Sequence, residues 1–172
     1  MVKKYSAIVL TVSDTGARGE RADTAGPAVK RALEDAGFSA GGITVIPDDL
    51  ETIKRELTAA ADIQRVNLVI TVGGTGFSPR DVTPEATLAV CERRAPGIPE
   101  AMRTASLALT KRAMLSRAAA GIRKRTLIVN LPGSEKGAVE NLSAVLPALA
   151  HGLDVLLETR NECASQSDVQ QI

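Results

Sequence analysis

The sequence predicts an α/β fold: a three-layer α/β/α sandwich with a mainly parallel sheet. Three observations carry this. Short apolar runs such as Leu68 to Val72 (LVITV) have the length and β-branched content of strands buried on both faces. Longer stretches between them carry apolar residues at helical spacing. The two kinds of segment alternate, and strands joined by helices run parallel with helices covering both faces of the sheet.

Taken in order, residues 7–12 (AIVLTV) read as the first strand, followed by a polar loop at 13–19 that holds Ser13 and Asp14. Ala25, Ala28, Val29, Ala32, Leu33 and Ala36 then recur on one helical face. Asp23 or Thr24 is the candidate cap, and Gly37 stands where a left-handed residue ends the helix. Residues 43–46 form a second strand that runs into Pro47, Asp48 and Asp49. Asp49 is placed to cap a helix with Leu50, Ile53, Leu57 and Ala61 on one face, which leaves Asp48 freer.

The third strand, Leu68 to Val72, breaks into Gly73, Gly74, Thr75 and Gly76, then Ser78-Pro79 and Arg80-Asp81. Thr83-Pro84-Glu85 is a helix start, with Thr as cap, Pro in the first turn and Glu at the positive dipole end. This helix is expected to reach about residue 93. Another, from near Pro99, is expected to turn Ile98, Ala101, Met102, Ala105 and Leu109 inward. Residues 113–117 show no clear period. Residues 121–125 read as a hairpin-like turn into a strand at Thr126 to Leu131. Pro132, Gly133 and Ser134 then open a last helix with its stripe on Ala138, Val139, Leu142, Val145, Leu146 and Leu149, and Pro147 is expected to kink it. Residues 1–160 form one domain in this reading, and residues 161–172 a polar, frayed tail.

The chain has 172 residues, 44% of them hydrophobic, and a formal net charge of +1, as expected of a soluble globular domain with a sizeable core. Tyr5, Phe38 and Phe77 are the only aromatic residues, so the core must be aliphatic. That scarcity argues against single-stranded nucleic-acid binding, which uses stacked aromatic platforms. Cys91 and Cys163 match no metal-ligand spacing and are too few for a disulfide framework. They read as reduced thiols of a cytoplasmic protein, Cys91 in the core and Cys163 in the tail. The apolar run at residues 7–12 is too short for a signal peptide, and no segment could span a membrane.

Open parallel sheets bind ligands beyond the carboxyl ends of their strands. Ser13 and Asp14, Pro47 and Asp48, and the loop at 73–81 are therefore expected at one edge. The glycine loop lets backbone N–H groups approach an anion closely. Asp81 either pairs with Arg80 or braces the loop by accepting from backbone N–H groups. Neither the G-x-G-x-x-G dinucleotide fingerprint nor the G-x-x-x-x-G-K-[ST] phosphate loop is present. The single histidine, His151, lies far along in the last helix and reads as a packing residue, so no serine or cysteine has a base to activate it. Carboxylates, glycine loops and basic residues suit magnesium-assisted chemistry on phosphates, in which one or two carboxylates suffice for the metal. The basic stretch at 111–125 reads as a solvated face, with attraction of a polyanion as the alternative.

With these motifs in view, the chain resembles the molybdopterin adenylyltransferase family of molybdenum-cofactor biosynthesis, including the G domains of plant and animal homologues. The resemblance covers roughly residues 5–156. It rests on TVSD at 11–14, IPDD at 46–49, GGTGFSPRDVTPEAT at 73–87, AMLSRAAAGI at 113–122 and NLPGS at 130–134. It implies an α/β/α sandwich assembled as a homotrimer. It implies transfer of AMP from ATP, with Mg²⁺, to the terminal phosphate of molybdopterin, and hand-over of the product to a molybdate-inserting enzyme. Asp48 and Asp81 would position Mg²⁺ and the reacting phosphates. Gly73, Gly74, Thr75 and Gly76 would line the phosphate cradle. Ser13, Asp14, Ser106, Ser116, Asn130, Pro132 and Gly133 would line the substrate or nucleotide sites. A non-catalytic molybdopterin-binding or carrier module is the alternative.

Overall fold

The structure, a computed structural model, describes residues 5–158. Cys163 and the expected tail at 161–172 lie outside the described residues. Six strands form one sheet in the order β2-β1-β3-β6-β5-β4. They are β1 (Ser6–Val12), β2 (Ser39–Ile46), β3 (Leu68–Val72), β4 (Arg93–Arg94), β5 (Ala120–Arg123) and β6 (Thr126–Leu131). β1 pairs parallel with β2 and β3, and β3 pairs parallel with β6. β5 and β4 then add antiparallel at one edge. The sheet is thus mainly parallel with an antiparallel corner.

The helices are α1 (Asp14–Ala17), α2 (Ala25–Asp35), α3 (Leu50–Asp62), α4 (Thr83–Val90), α5 (Gly97–Leu107) and α6 (Glu135–Leu156), with a 3₁₀ turn at Lys111–Leu115. Two separate apolar clusters occupy the two faces of the sheet. Leu68, Ile70 and Val72 of β3 join Leu33 of α2, Met102 of α5 and Leu142 of α6. Val69, between them in sequence, joins Ile53 and Leu57 of α3 and Ala86 of α4 on the other face. The alternation along a strand whose residues are all buried is what makes three layers rather than two. Burial of each such side chain contributes on the order of 1.5–3 kcal/mol. Cys91 packs half-buried against the second cluster, and burial pushes its thiol up to about 11.

Several elements differ from the sequence reading. β2 begins at Ser39, and its mostly exposed or half-exposed residues are those of an edge strand, where the hydrophobic signal is weak. α4 ends at Val90 rather than near 93, because Cys91 is extended and Arg93 and Arg94 pair with Ile122 and Gly121 of β5. The N-cap position of α4 is Val82, not Thr83, which lies inside the first turn. α5 spans Gly97–Leu107 and buries Pro99 and Met102, but leaves Ala101 and Ala105 exposed, and Leu109 lies exposed beyond its end. One face of α5 packs on α6 and β6, and the rest of its surface is left uncovered. His151 is exposed near the end of α6 rather than packed. In α2 the residue at the cap position is Thr24, but Asp23 Oδ1 accepts the bond from the Gly26 N–H at 2.9 Å. Asp49 caps α3 as expected, accepting from the Thr52 N–H. Among the described residues no helix is long and apolar enough to cross a membrane.

Candidate active site at the sheet switch point

β1 lies between β2 and β3, so the chain leaves β1 toward one side of the sheet and leaves β3 toward the other. Loops that diverge at the carboxyl ends of neighbouring parallel strands open a crevice between them. The loop after β1, the end of β2 and the glycine loop after β3 meet there, as their order predicts.

Two reciprocal bonds join the first two loops. The Asp14 N–H donates to Asp48 Oδ2 at 2.8 Å, and the Asp48 N–H donates to Asp14 Oδ1 at 3.0 Å. Ser13 caps the single turn of α1, its Oγ accepting from the Gly16 N–H at 3.1 Å. Arg80 crosses from the glycine loop and donates from Nε and Nη2 to Asp14 Oδ2, at 3.0 and 2.8 Å. Arg80 therefore pairs with Asp14, and its sequence neighbour Asp81 braces the loop instead. Asp81 Oδ2 accepts from the Ser78 N–H at 3.0 Å.

This leaves Asp48 and Asp81 alike in one respect. Each commits one carboxylate oxygen to a backbone N–H, while its other oxygen takes no hydrogen bond among the described residues. Asp48 Oδ1 lies 3.2 Å from the point where a Gly74 Cβ would stand, and Asp81 Oδ2 lies 2.9 Å from the corresponding point on Gly76. The glycines are what let the loop pass so close to both carboxylates. Burial raises the Asp48 carboxyl above the usual carboxylate range, with the charges of Asp14 and Asp81 adding to it against the hydrogen bond from Asp14. Asp14 is held below that range, first by its hydrogen bonds from Arg80.

Two cavities of about 620 and 370 Å³ open along the crevice. The larger is lined by Thr75, Gly76, Ser106, Ser116 and Pro132 among others, the smaller by Ser13, Asp48 and Gly73. Gly74, Asp81, Gly133 and Ser134 line both and form the junction. Asn130 lines neither. It is fully buried, donates from Nδ2 to Thr71 and Thr87, and accepts from the Ala119 N–H, so it ties β6 to β3, α4 and the segment before β5. Asp14 also stands behind the cavity walls, holding Asp48 and Arg80.

Sequence reading passes over several residues at the site. Arg103 and Arg112 line the larger cavity, and Arg21 and Asp23 the smaller. Arg117 falls with its neighbours in the stretch read as a solvated face, yet its backbone and guanidinium grip the glycine loop. Only the basic character of residues 111–125 hints at it, because its contacts lie about forty residues away in the chain. The buried Thr83 hydroxyl has no hydrogen-bond partner among the described residues and lies against Gly74.

Residues 8–151 match the family described as "Probable molybdopterin binding domain". The chain is 39% identical over 151 residues to the molybdopterin adenylyltransferase of Helicobacter pylori strain J99, covering 87% of this chain and 86% of that protein. It is 42% identical over 158 residues to gephyrin of Dictyostelium discoideum, covering 86% of this chain but only 22% of that longer protein. Among solved structures, the molybdopterin biosynthesis enzyme MoaB of Thermus thermophilus superposes with a TM-score of 0.86 at 46% identity, covering 90% of this chain and 98% of that one.

Proposed function

The chain belongs to the probable molybdopterin-binding domain family, and from that membership we propose that it works in molybdenum-cofactor biosynthesis by adenylylating molybdopterin. In this reaction an oxygen of the terminal phosphate of molybdopterin attacks the α-phosphorus of ATP. A new P–O bond forms there, the bond to the bridging β-phosphate oxygen breaks, and adenylyl-molybdopterin and pyrophosphate result. The substrate supplies the nucleophile. That agrees with a site without histidine and with the only described cysteine half-buried and raised to about 11.

One observation carries the reading: Asp48 and Asp81 stand against Gly74 and Gly76, each with one oxygen uncommitted, Asp81 at the junction of two cavities and Asp48 in the wall of the smaller. Two adjoining cavities suit a reaction between two substrates, and one carboxylate at their junction with a second in the wall of the smaller suits the place where phosphates are exchanged. The donor set also fits Mg²⁺. No cluster of three or more acidic, histidine or cysteine ligands exists among the described residues, and Mg²⁺ takes one or two carboxylates with phosphate and water oxygens completing its shell. When bound, the ion would neutralise phosphate charge. Asp48 and Asp81 would hold it, the N–H groups of residues 74–76 would orient the phosphates, and Ser13, Gly73, Ser106, Ser116, Pro132 and Gly133 would shape the two cavities.

Incubating the protein with molybdopterin, ATP and Mg²⁺ should yield adenylyl-molybdopterin and pyrophosphate in equal amounts. Asp48→Asn and Asp81→Asn should each cut the rate about a hundredfold or more. Tight molybdopterin binding without ATP turnover would replace this reading with that of a carrier.

The reading extends to a cytoplasmic homotrimer that passes its product to a molybdate-inserting enzyme. Leu107, Leu109, Met114 and Leu115 are 44–65% exposed and leave apolar surface that association would cover. Light scattering at micromolar concentration should report three chains, and a lone 18.0 kDa species would remove the trimer.

A further inference from the structure

We propose that Arg117 is the positioning residue that sets the geometry of the glycine loop and, through it, of Asp81. The inference rests on the proposed reaction for its kinetic consequence, but its structural basis stands apart from it.

Arg117 reaches the loop with both backbone and side chain. Its N–H donates to the Thr75 carbonyl at 2.9 Å, and its Nε donates to the Gly76 carbonyl at 2.7 Å. Its Nη2 donates to the Asp81 carbonyl, and its Nη1 pairs with Glu85 in the first turn of α4. One residue thus binds both ends of the 75–81 segment and the helix that follows. The carbonyls of Thr75, Gly76 and Asp81 are thereby held on Arg117, while Gly74, Thr75, Gly76 and Asp81 line the larger cavity. A planar guanidinium with several fixed donors can hold carbonyls in two directions at once, which a lysine ammonium on a flexible stem does not do.

Arg117 is itself held. Arg103 of α5 donates from Nη1 to the carbonyls of Ser116 and Ala118, at 3.4 and 3.3 Å, on either side of it. Arg103 and Ser116 line the larger cavity, whereas Arg117 lines neither. Three of its five guanidinium N–H donors go to the loop and to Glu85, and it lines neither cavity, so it acts on a substrate through the groups it places. The loop needs such a clamp. Gly73 and Gly74, at positive φ, are fixed by the Gly73 N–H bond to the Leu131 carbonyl and the Thr83 N–H bond to the Gly74 carbonyl, whereas the carbonyls of Thr75, Gly76 and Asp81 are held by Arg117. Displacement of a reacting group by about 1 Å costs on the order of a hundredfold in rate.

The test uses Arg117→Lys, Arg117→Gln and Arg117→Ala in the full chain, with three readouts. Amide hydrogen exchange at residues 74–81 should quicken in all three variants while the β3 and β6 amides keep wild-type protection. kcat for adenylyl transfer should fall on the order of a hundredfold with KM for ATP little changed. The fall in kcat on Arg117→Lys should be large in the wild-type background and much smaller in an Asp81→Asn background, since the two substitutions act on one group.

Rescue of kcat by Arg117→Lys would show that charge rather than geometry matters and would overturn the proposal. So would unchanged exchange in the loop, or wild-type kcat in a variant that only melts lower. Should Arg117→Ala fail to fold, the Lys and Gln variants decide the matter. A wild-type protein without adenylyl transfer, but with loop exchange that depends on Arg117, would retire the reaction and leave the clamp standing.

Discussion

Asp14 and Asp48 hold each other by exchange: the backbone N–H of each donates to the carboxylate of the other, at 2.8 and 3.0 Å. This closes the ends of β1 and β2 into one rigid corner, and Arg80 extends the corner to the glycine loop by docking on the same Asp14 carboxylate. Asp14 is thus the residue through which three loops share one carboxylate.

Removing that carboxylate should loosen the site more than the fold. Asp14→Ala is expected to lower the rate of adenylyl transfer about 10- to 100-fold with a smaller change in melting temperature. Asp14→Asn keeps an acceptor for the Asp48 N–H but puts an NH2 in place of the oxygen that accepts from Arg80, so it loses the Arg80 bonds alone and its loss should be the smaller of the two. Steady-state kinetics beside calorimetry check the order, and equal losses would mean that the Asp48 bond is unimportant.

The glycine loop offers a second comparison. A Cβ on Gly73 would stand 2.3 Å from the Val12 carbonyl, and one on Gly74 would stand 2.2 Å from the Thr83 hydroxyl. Both residues also have positive φ, at 106° and 63°. Gly73→Ala is expected to cost about 2–4 kcal/mol, because the obstructing atom is backbone. Gly74→Ala should cost less and should be partly relieved by adding Thr83→Ala, since that removes the obstructing oxygen. Urea midpoints of the two single variants and the double variant would measure this.

The Thr83 hydroxyl is buried with no partner among the described residues. Replacing such a group by a methyl of similar shape removes a desolvation penalty. Thr83→Val should therefore raise stability by about 1 kcal/mol, or a melting temperature by about 2–4 °C. A lower melting temperature would show that the hydroxyl is satisfied in solution. A higher melting temperature with weaker Mg-ATP binding would assign the hydroxyl to the site.

Far from the crevice, Arg123 binds Asp62 through two bonds at 3.0 and 2.6 Å and reaches the Val90 carbonyl with Nη1, joining β5 to the ends of α3 and α4. Hydrogen bonding from Arg123, with a further bond from Lys124, holds the Asp62 carboxyl at about 2 against an ordinary 3.8. A depressed carboxylate stabilises the fold above its unfolded value and loses that contribution as pH falls through its folded value. The stability advantage of wild type over Asp62→Asn should accordingly be full at pH 6 and shrink between about pH 4 and pH 2. Denaturation midpoints across that range check it, and a gap that does not narrow would refute the assignment.

The strands β1, β3 and β6 and the stripes of α2, α3 and α6 are legible in the sequence because each is a local pattern: a continuous apolar run or a helical period. The edge strands are not. β2 is half-exposed along most of its length, and β4 is two arginines whose strand character comes only from pairing with β5. α5 misleads because apolar residues at helical spacing need not all find a layer to cover.

The same division runs through the site. That Ser13, Asp14, Asp48 and the glycine loop would converge follows from sequence, because alternating strands and helices put their loops at one edge of a parallel sheet. Which oxygen each aspartate commits, that Arg80 chooses Asp14 over its neighbour Asp81, that Asn130 is a core tie, and that Arg117 grips a loop some forty residues away were decided by tertiary structure alone. Periodicity records which face of an element is apolar, and nothing more. A side-chain hydrogen bond across the fold depends on the relative placement of two loops to within about half an ångström, and only the packed sheet fixes that.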